Sequence, residues 1–137
     1  MAIVQTQCTS FKEQLLKAVH DFSTDTFKLA LYTSAASLGA STTVYTTTGE
    51  VVAAGYTAGG NTLTGVSVST SGTTAYVDFA DTTWTTSTTA RGALIYNSSK
   101  ADKAVAVLDF GTDKTSTNTF TVQMPPNSAT DALIRIA

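Results

Sequence analysis

The residues of this chain that could support acid–base or metal chemistry are few and scattered. His20 is the only histidine and is followed by Asp21, but neighbouring side chains on a helix point about 100° apart and no nucleophile elbow accompanies them. Cys8 and His20 cannot complete a zinc site, and the only glutamates are Glu13 and Glu50. We therefore expect no catalytic centre, no metal site and no cofactor.

Three other groups of residues carry weaker indications of chemistry. Asp78 and Asp81 lie at the end of a predicted strand, where carboxylates more often cap turns than hydrolyse glycosides. Asp109 and Asp113 leave a calcium site open as an alternative, although their spacing fits no EF-hand. The glycine-rich stretch 55–60 lacks the lysine and the helix of a phosphate-binding loop, which favours a turn beside a packed tyrosine.

Hydroxyl side chains dominate the composition, with 28 Thr and 13 Ser among 137 residues. Only 13% of the residues are charged and the formal net charge is −2, so the dense basic patch of a nucleic-acid-binding protein is missing. The longest apolar runs fall far short of the roughly 18 residues of a membrane span, and the first residues lack the pattern of a secretory signal. We expect no nucleic acid or membrane partner and synthesis in a cytoplasm.

Threonine also raises the question of an ice-binding surface, which requires Thr-x-Thr rows at a fixed period. Thr46, Thr48, Thr62 and Thr64 do not recur in this way. The sequence therefore predicts no such rows.

One segment predicts a helix, over residues 10–22. Ser10 and Glu13 have the spacing of a capping box, and apolar residues follow at helical spacing: Phe11, Leu15, Ala18, Val19 and Phe22.

After this helix the pattern changes to the period of two that is typical of strands. The predicted strands, separated by turn residues, are 27–31, 63–69, 74–79, 93–96, 105–110, 120–124 and 132–136. Residues 44–45 and 50–52 are weaker candidates, and 82–89 is predicted as a loop or irregular strand. One helix followed by six to eight short strands over about 26–137 predicts a single mainly β domain, an antiparallel jelly-roll-like sandwich or small barrel.

Trp84, Arg91 and Tyr56 are the candidate interface residues. Trp and Arg are enriched at the centres of protein interfaces, and Tyr56 lies in the glycine-rich stretch. For Trp84 the alternative is a place in the core. For Arg91 the alternatives are a structural ion pair or a solvated side chain.

Four stretches of the chain carry a resemblance to a known family: 20–22 with 25–33, 49–51 with 55–60, 90–97, and 107–111. They look like parts of small virion structural proteins of tailed bacteriophages, and they most resemble capsid cement (decoration) proteins of short-tailed phages. The resemblance implies a jelly-roll-like β fold on the outer capsid surface, with the major capsid protein as partner. It also implies a homodimer or other homo-oligomer and no catalytic residues.

Two other functions stay open. The chain could be a fibre or tail-tip module that binds a receptor or carbohydrate, which Tyr45, Tyr56 and Trp84 exposed in one groove would favour. An enzyme would require a pocket that holds His20 with an acid and a hydroxyl.

Overall fold

The computed structural model describes residues 2–137, which form one α-helix, ten β-strands and one short 3₁₀ helix. In chain order these are β1 Thr6–Gln7, α1 Thr9–Leu16, β2 Phe27–Tyr32, β3 Asn61–Thr62, β4 Ser67–Ser71, β5 Thr74–Asp78, β6 Thr82–Trp84, β7 Thr89–Asn97, the 3₁₀ helix Ser98–Lys100, β8 Lys103–Thr115, β9 Phe120–Val122 and β10 Ile134–Ile136. The prediction of a mainly antiparallel β fold with one N-terminal helix is confirmed, and within this range the sheets do not close into a barrel.

The core lies on the five-stranded sheet, whose strand order is β1-β8-β7-β2-β3. Its central strands, β2 and β7, are covered on both faces, and Leu29, Leu94 and Ile95 have no exposed surface. Since both faces are covered, apolar residues occupy consecutive positions of these strands. The strand predicted at 27–31 is present, but its alternation of side chains does not separate a buried face from an exposed one.

Two smaller sheets pack around this core: a three-stranded sheet in the order β10-β5-β4, and the pair β6-β9. The ring of Phe27 in β2 stacks on Phe22 with centroids 4.5 Å apart and lies 5.8 Å from Phe79, which follows β5. Aromatic pairs at these distances add to the free energy gained by burial. This cluster therefore joins the three-stranded sheet to the core.

The helix is shorter than predicted, since α1 ends at Leu16 rather than near residue 22. Ala18 adopts a left-handed conformation with φ of 59°, which an α-helix cannot continue through. The predicted capping box is also wrong: Cys8 occupies the N-cap without a side-chain hydrogen bond, and the Ser10 hydroxyl is buried with no partner among the described residues.

The apolar stripe predicted for the helix is only partly buried. Phe11 has no exposed surface, and Leu15 and Phe22 pack at the margin of the core. Leu16, outside the stripe, is 90% exposed.

Cys8 lies between α1 and the five-stranded sheet and is completely buried. Its backbone N–H donates to the carbonyl of Val105 at 2.9 Å, and its Sγ lies 3.8 Å from the carbonyl oxygen of Gly39. Burial raises the pKa of the Cys8 thiol to about 11. The thiol is therefore protonated in the folded protein at neutral pH.

Candidate interaction surface

The strands β6 to β9 form one long hairpin, because β6 and β7 on one side pair in sequence with β9 and β8 on the other. Trp84 pairs with Phe120 and Thr89 pairs with Thr115, and four residues separate these pairs on each side. The equal lengths keep the two sides in register through an irregular middle. We call residues 82–90 and 114–122 the ribbon.

The outward face of the ribbon consists of hydroxyl residues and contains no charge. Every odd position is exposed: Thr83, Thr85, Ser87, Thr89, Thr115, Thr117, Thr119 and Thr121. The hydroxyls of Thr83 and Thr121 lie 3.0 Å apart, and those of Thr89 and Thr115 lie 2.8 Å apart. At about 3.3 Å per residue this face is roughly 20 Å long.

This face bears on two predictions. Segment 82–89, predicted as a loop or irregular strand, contains β6 and the start of β7 with an irregular part between them. Thr-x-Thr spacings occur along both sides of the ribbon, but residues 85–88 and 116–119 form no regular ladder, so the regular rows of an ice-binding surface are not formed here. The even positions include buried Trp84, Phe120 and Val122. Threonine on both faces hid this alternation in the sequence.

Trp84 and Tyr56 lie beneath the ribbon rather than on it. They are 4% and 8% exposed, and their ring centroids are 5.8 Å apart. The hydroxyl of Thr86 donates to the carbonyl of Ala54 at 2.7 Å, which ties the ribbon to the segment that carries Tyr56. The structure thus places Trp84 in the core, the alternative considered above, and neither ring is available to a partner in this conformation.

Glu50 fixes the loops behind these rings. Its side chain is buried, and its carboxylate accepts hydrogen bonds from the hydroxyls of Tyr45 and Tyr56 at 2.6 Å each and from the N–H of Gly59 at 2.8 Å. Burial, followed by the bond to Glu50, raises the pKa of both tyrosines. A buried carboxylate with three donors is stable, so this cluster has a structural role that the sequence did not reveal.

The glycine-rich turn 55–60 is part of the same cluster. Gly60 has φ of 77°, and a Cβ there would lie 1.8 Å from the carbonyl oxygen of Leu29. The hydroxyl of Tyr96 donates to the carbonyl of Gly59 at 2.6 Å. The turn is therefore packed against β2 and β7. This agrees with the prediction of a glycine-rich turn beside a packed tyrosine.

Arg91 lies where the hairpin bends out of the five-stranded sheet. Between Ala90 and Gly92 the register shifts, because four residues of β8, 110–113, stand opposite Arg91 alone. Its Nε donates to Asp109 at 3.0 Å, and the two side chains are 33% and 25% exposed. Arg91 thus forms an ion pair and remains partly accessible, which leaves its interface role as a prediction.

Asp109 is not arranged as a metal ligand. The N–H of Gly111 donates to its carboxylate at 2.9 Å, and this bond and then Arg91 lower the pKa of Asp109. Across residues 2–137 there is no group of three or more His, Cys, Asp or Glu side chains that could hold a metal ion.

His20 is buried in a network at the closed end of the hairpin. Its Nε2 lies 2.8 Å from Oε1 of Gln14 and its Nδ1 lies 3.0 Å from Nδ2 of Asn97. Asn97 also donates to Asp25 at 2.8 Å, and Lys100 donates to the other oxygen of Asp25 at 2.8 Å. His20 falls within the helix predicted over residues 10–22, but α1 ends four residues before it, so His20 is not helical.

The charges of this network set the pKa values of two groups. Burial lowers the pKa of His20, and the negative charge of Asp25, which would raise it, only partly offsets this effect. Burial by itself would raise the pKa of Asp25, but hydrogen bonds from Lys100, Asn97 and the N–H of Asp21 lower it to about 2. The two ring nitrogens of His20 face amide groups, so its nearest partners include no hydroxyl.

No protein-family model, curated protein or solved structure matches the chain. No helix in the described part of the chain is long and apolar enough to cross a membrane.

Proposed function

We propose that the protein is a bacteriophage capsid cement protein, which binds neighbouring copies of the major capsid protein on the outer surface of the virion. The observation that supports this most is the uncharged hydroxyl face of the ribbon, formed by eight exposed Thr and Ser residues. The motifs that resemble cement proteins favour the same function.

A hydroxyl face of this kind suits a broad contact with a repetitive protein surface. Hydroxyls donate and accept hydrogen bonds without the desolvation cost of a charge, and protein interfaces are depleted in charged residues at their centres. Each contact can be modest in affinity, because simultaneous engagement of several copies raises the effective concentration of the next. A homo-oligomer on the capsid surface would use the face in this way.

Arg91 is the candidate anchor at one end of the face. It lies two residues beyond Thr89 along β7, and a third of its side chain is exposed. An arginine at the margin of an uncharged contact can orient the partner through a carboxylate or a backbone carbonyl.

The fibre or tail-tip function has weaker support. It called for three aromatic rings exposed together, whereas Tyr56 and Trp84 are buried and Tyr45 stacks on Tyr96 with centroids 4.7 Å apart. A carbohydrate site would have to be built from other residues.

The test is binding of purified protein to capsids of the encoding phage from which this protein has been removed. We expect saturable binding that changes little with salt, because few charges are available to be screened. Restored capsids should resist heat better than stripped ones. Thr85→Asp, in the middle of the hydroxyl face, should weaken binding by roughly ten-fold or more, since it buries an unpaired charge.

The matched control is Thr73→Asp, at the exposed turn between β4 and β5, which should bind as the wild type does. Absence of binding to capsids at any salt, together with saturable binding to a bacterial surface glycan, would reject the cement function in favour of a fibre or tail-tip module.

A further inference from the structure

We propose that the outer edge of the ribbon at residues 119–121 binds an extended strand of a partner protein by β-sheet addition. This rests on the proposed function only for the source of the strand, which would then be a segment of the capsid protein. The edge, the groove beside it and its charge support the proposal.

The first support is the direction of the backbone groups along this edge. The N–H of Ser116 donates across the hairpin to the carbonyl of Thr88 at 2.8 Å. The hydroxyl pairs Thr89–Thr115 and Thr83–Thr121 are as close as expected for the non-hydrogen-bonded pairs of an antiparallel ladder. Ser116, and the strand residues Phe120 and Val122, therefore bond across the hairpin, and the N–H and C=O groups of Thr115 and Thr121 point away from it. Residues 117 and 118 form a bend between these two positions.

These outward groups have no protein partner. Among residues 2–137, nothing outside the ladder of the hairpin itself bonds to the backbone of Thr115, Thr119 or Thr121. A strand edge with unpaired backbone groups is a template for another strand.

The opposite edge of the ribbon differs in this respect. There the hydroxyl of Thr86 bonds to Ala54, and a Cβ at Gly55 would lie 2.0 Å from the carbonyl oxygen of Thr85. The loop around residue 55 therefore covers that edge. The edge of β4 is also free among the described strands, but there the ladder leaves just Val68 and Thr70 pointing outward.

The second support is a groove that follows the free edge. It has a volume of about 440 Å³, and its lining includes Phe110, Phe120 and Val122 besides the threonines of the edge. A second groove of about 520 Å³ continues from it along β8 and shares Phe110 and Val122. Strand addition takes affinity from the main chain and specificity from pockets for alternate side chains, and this pair of grooves supplies apolar contacts for them.

Charge defines the partner further. Lys114 lines the first groove and makes no ion pair with any described residue. The remaining lining residues are uncharged: Thr115, Ser116, Thr119, Thr121 and Gln123 beside the apolar ones. The occupant that fits is an extended segment with apolar side chains at alternate positions and a carboxylate placed to meet Lys114.

A synthetic strand tests this directly. The probe is an acetylated, amidated peptide of about eight residues with the sequence Asp-Val-Thr-Val-Thr-Val-Thr-Val, titrated into ¹⁵N-labelled protein to millimolar concentration. We expect amide shifts and slowed hydrogen exchange at Thr119 and Thr121. A peptide N-methylated at alternate residues should not bind, and one with Lys in place of Asp should bind several-fold more weakly. Absence of shifts on the edge with all three peptides would overturn the proposal.

Two variants at one position separate the backbone from the side chain. Thr121→Pro removes an outward N–H that the hairpin does not use and should weaken peptide binding by roughly ten-fold, whereas Thr121→Val keeps the N–H and should bind normally. Equal binding by the two variants would also overturn the proposal. If Thr121→Pro does not fold, the exchange measurement on the wild-type protein decides.

The same variants on capsids distinguish this proposal from the proposed function. If the wild type and Thr121→Pro bind capsids equally, the edge is not the capsid contact, and only strand addition fails. If the wild type does not bind capsids but does bind the peptide through residues 119–121, the cement function fails and strand addition stands.

Discussion

The two ends of the long hairpin are built from the same strand pairing and face opposite environments. At the closed end, β7 and β8 are buried on both faces, and residues 92–97 have no polar side chain except Tyr96 and Asn97. In the ribbon, one face is buried and the other is hydroxylated and exposed. The difference shows that the pairing of strands fixes register, while the side chains on each face decide whether a segment is core or surface.

The largest difference between the two ends should appear on truncation of side chains. Leu94→Ala leaves a cavity in a fully buried site of β7 and should lower the free energy of unfolding by about 2–5 kcal/mol. Thr119→Ala, on the exposed face, should change it by no more than about 0.5 kcal/mol. Urea unfolding followed by circular dichroism measures both. Equal losses would mean that the ribbon contributes as much packing as the core.

The second prediction concerns the loop cluster that lies between core and ribbon. Tyr56→Phe removes a donor to Glu50 and also leaves the N–H of Leu31, which donates to the Tyr56 hydroxyl at 2.9 Å, without its partner. We expect a loss of about 1–3 kcal/mol. Tyr76→Phe, which alters a half-buried tyrosine on β5 with no hydrogen bond through its hydroxyl in the described chain, is the control. A silent Tyr56→Phe would show that the cluster is not needed to hold the turn.

Acid should destabilise the closed end of the hairpin. The ribbon contains no Asp, Glu or His that acid could protonate. The folded-state pKa of His20 is lowered. Its contribution to the free energy of unfolding is therefore complete above about pH 6.5 and is lost as the pH falls through the folded-state pKa. The pKa of Asp25 is lowered to about 2, so its contribution, on the order of 2 kcal/mol, is present above about 4 and is lost as the pH falls toward 2.

The test is the free energy of unfolding of the wild type, His20→Gln and Asp25→Asn between about pH 7 and pH 2. This range covers the titration of both groups. Each variant should flatten its own part of the profile. A profile that both variants leave unchanged would contradict the assignment.

The smallest effect is expected at the bend between the two ends. Arg91 and Asp109 are both partly exposed, so their ion pair should contribute only about 0–1 kcal/mol. A double-mutant cycle with Arg91→Ala and Asp109→Ala measures it. A coupling free energy well above this range would indicate that the ion pair fixes the bend.

The sequence predicted the closed end of the hairpin better than the ribbon. The pattern predicts strands at residues 93–96 and 105–110 because apolar residues fill them and turn residues bound them. In the ribbon, threonine on both faces removes the contrast on which periodicity depends, so the pattern predicts residues 82–89 only as a loop or irregular strand. Their strand character comes from pairing with residues that lie 26 to 40 positions away, as for Thr89 with Thr115 and Thr82 with Val122.

The candidate interface residues show the same limit. Trp84 and Tyr56 are buried by contacts with distant segments, which residue type alone does not reveal. The predicted helix extends too far because Ala18 and Val19 continue its apolar spacing, whereas the chain turns there and His20 contacts Asn97, 77 positions away. Local patterns predict local structure, and these features depend on tertiary contacts.

The single cysteine allows transient opening of the N-terminal segment to be measured. Because Cys8 is fully buried beneath α1 and its thiol is protonated, an alkylating or disulfide reagent can reach it only in molecules whose N-terminal segment has moved away from the sheet. When closing is fast compared with modification, the labelling rate is proportional to the population of that open state. The ratio of this rate to the labelling rate of the unfolded protein would therefore give the free energy of that opening.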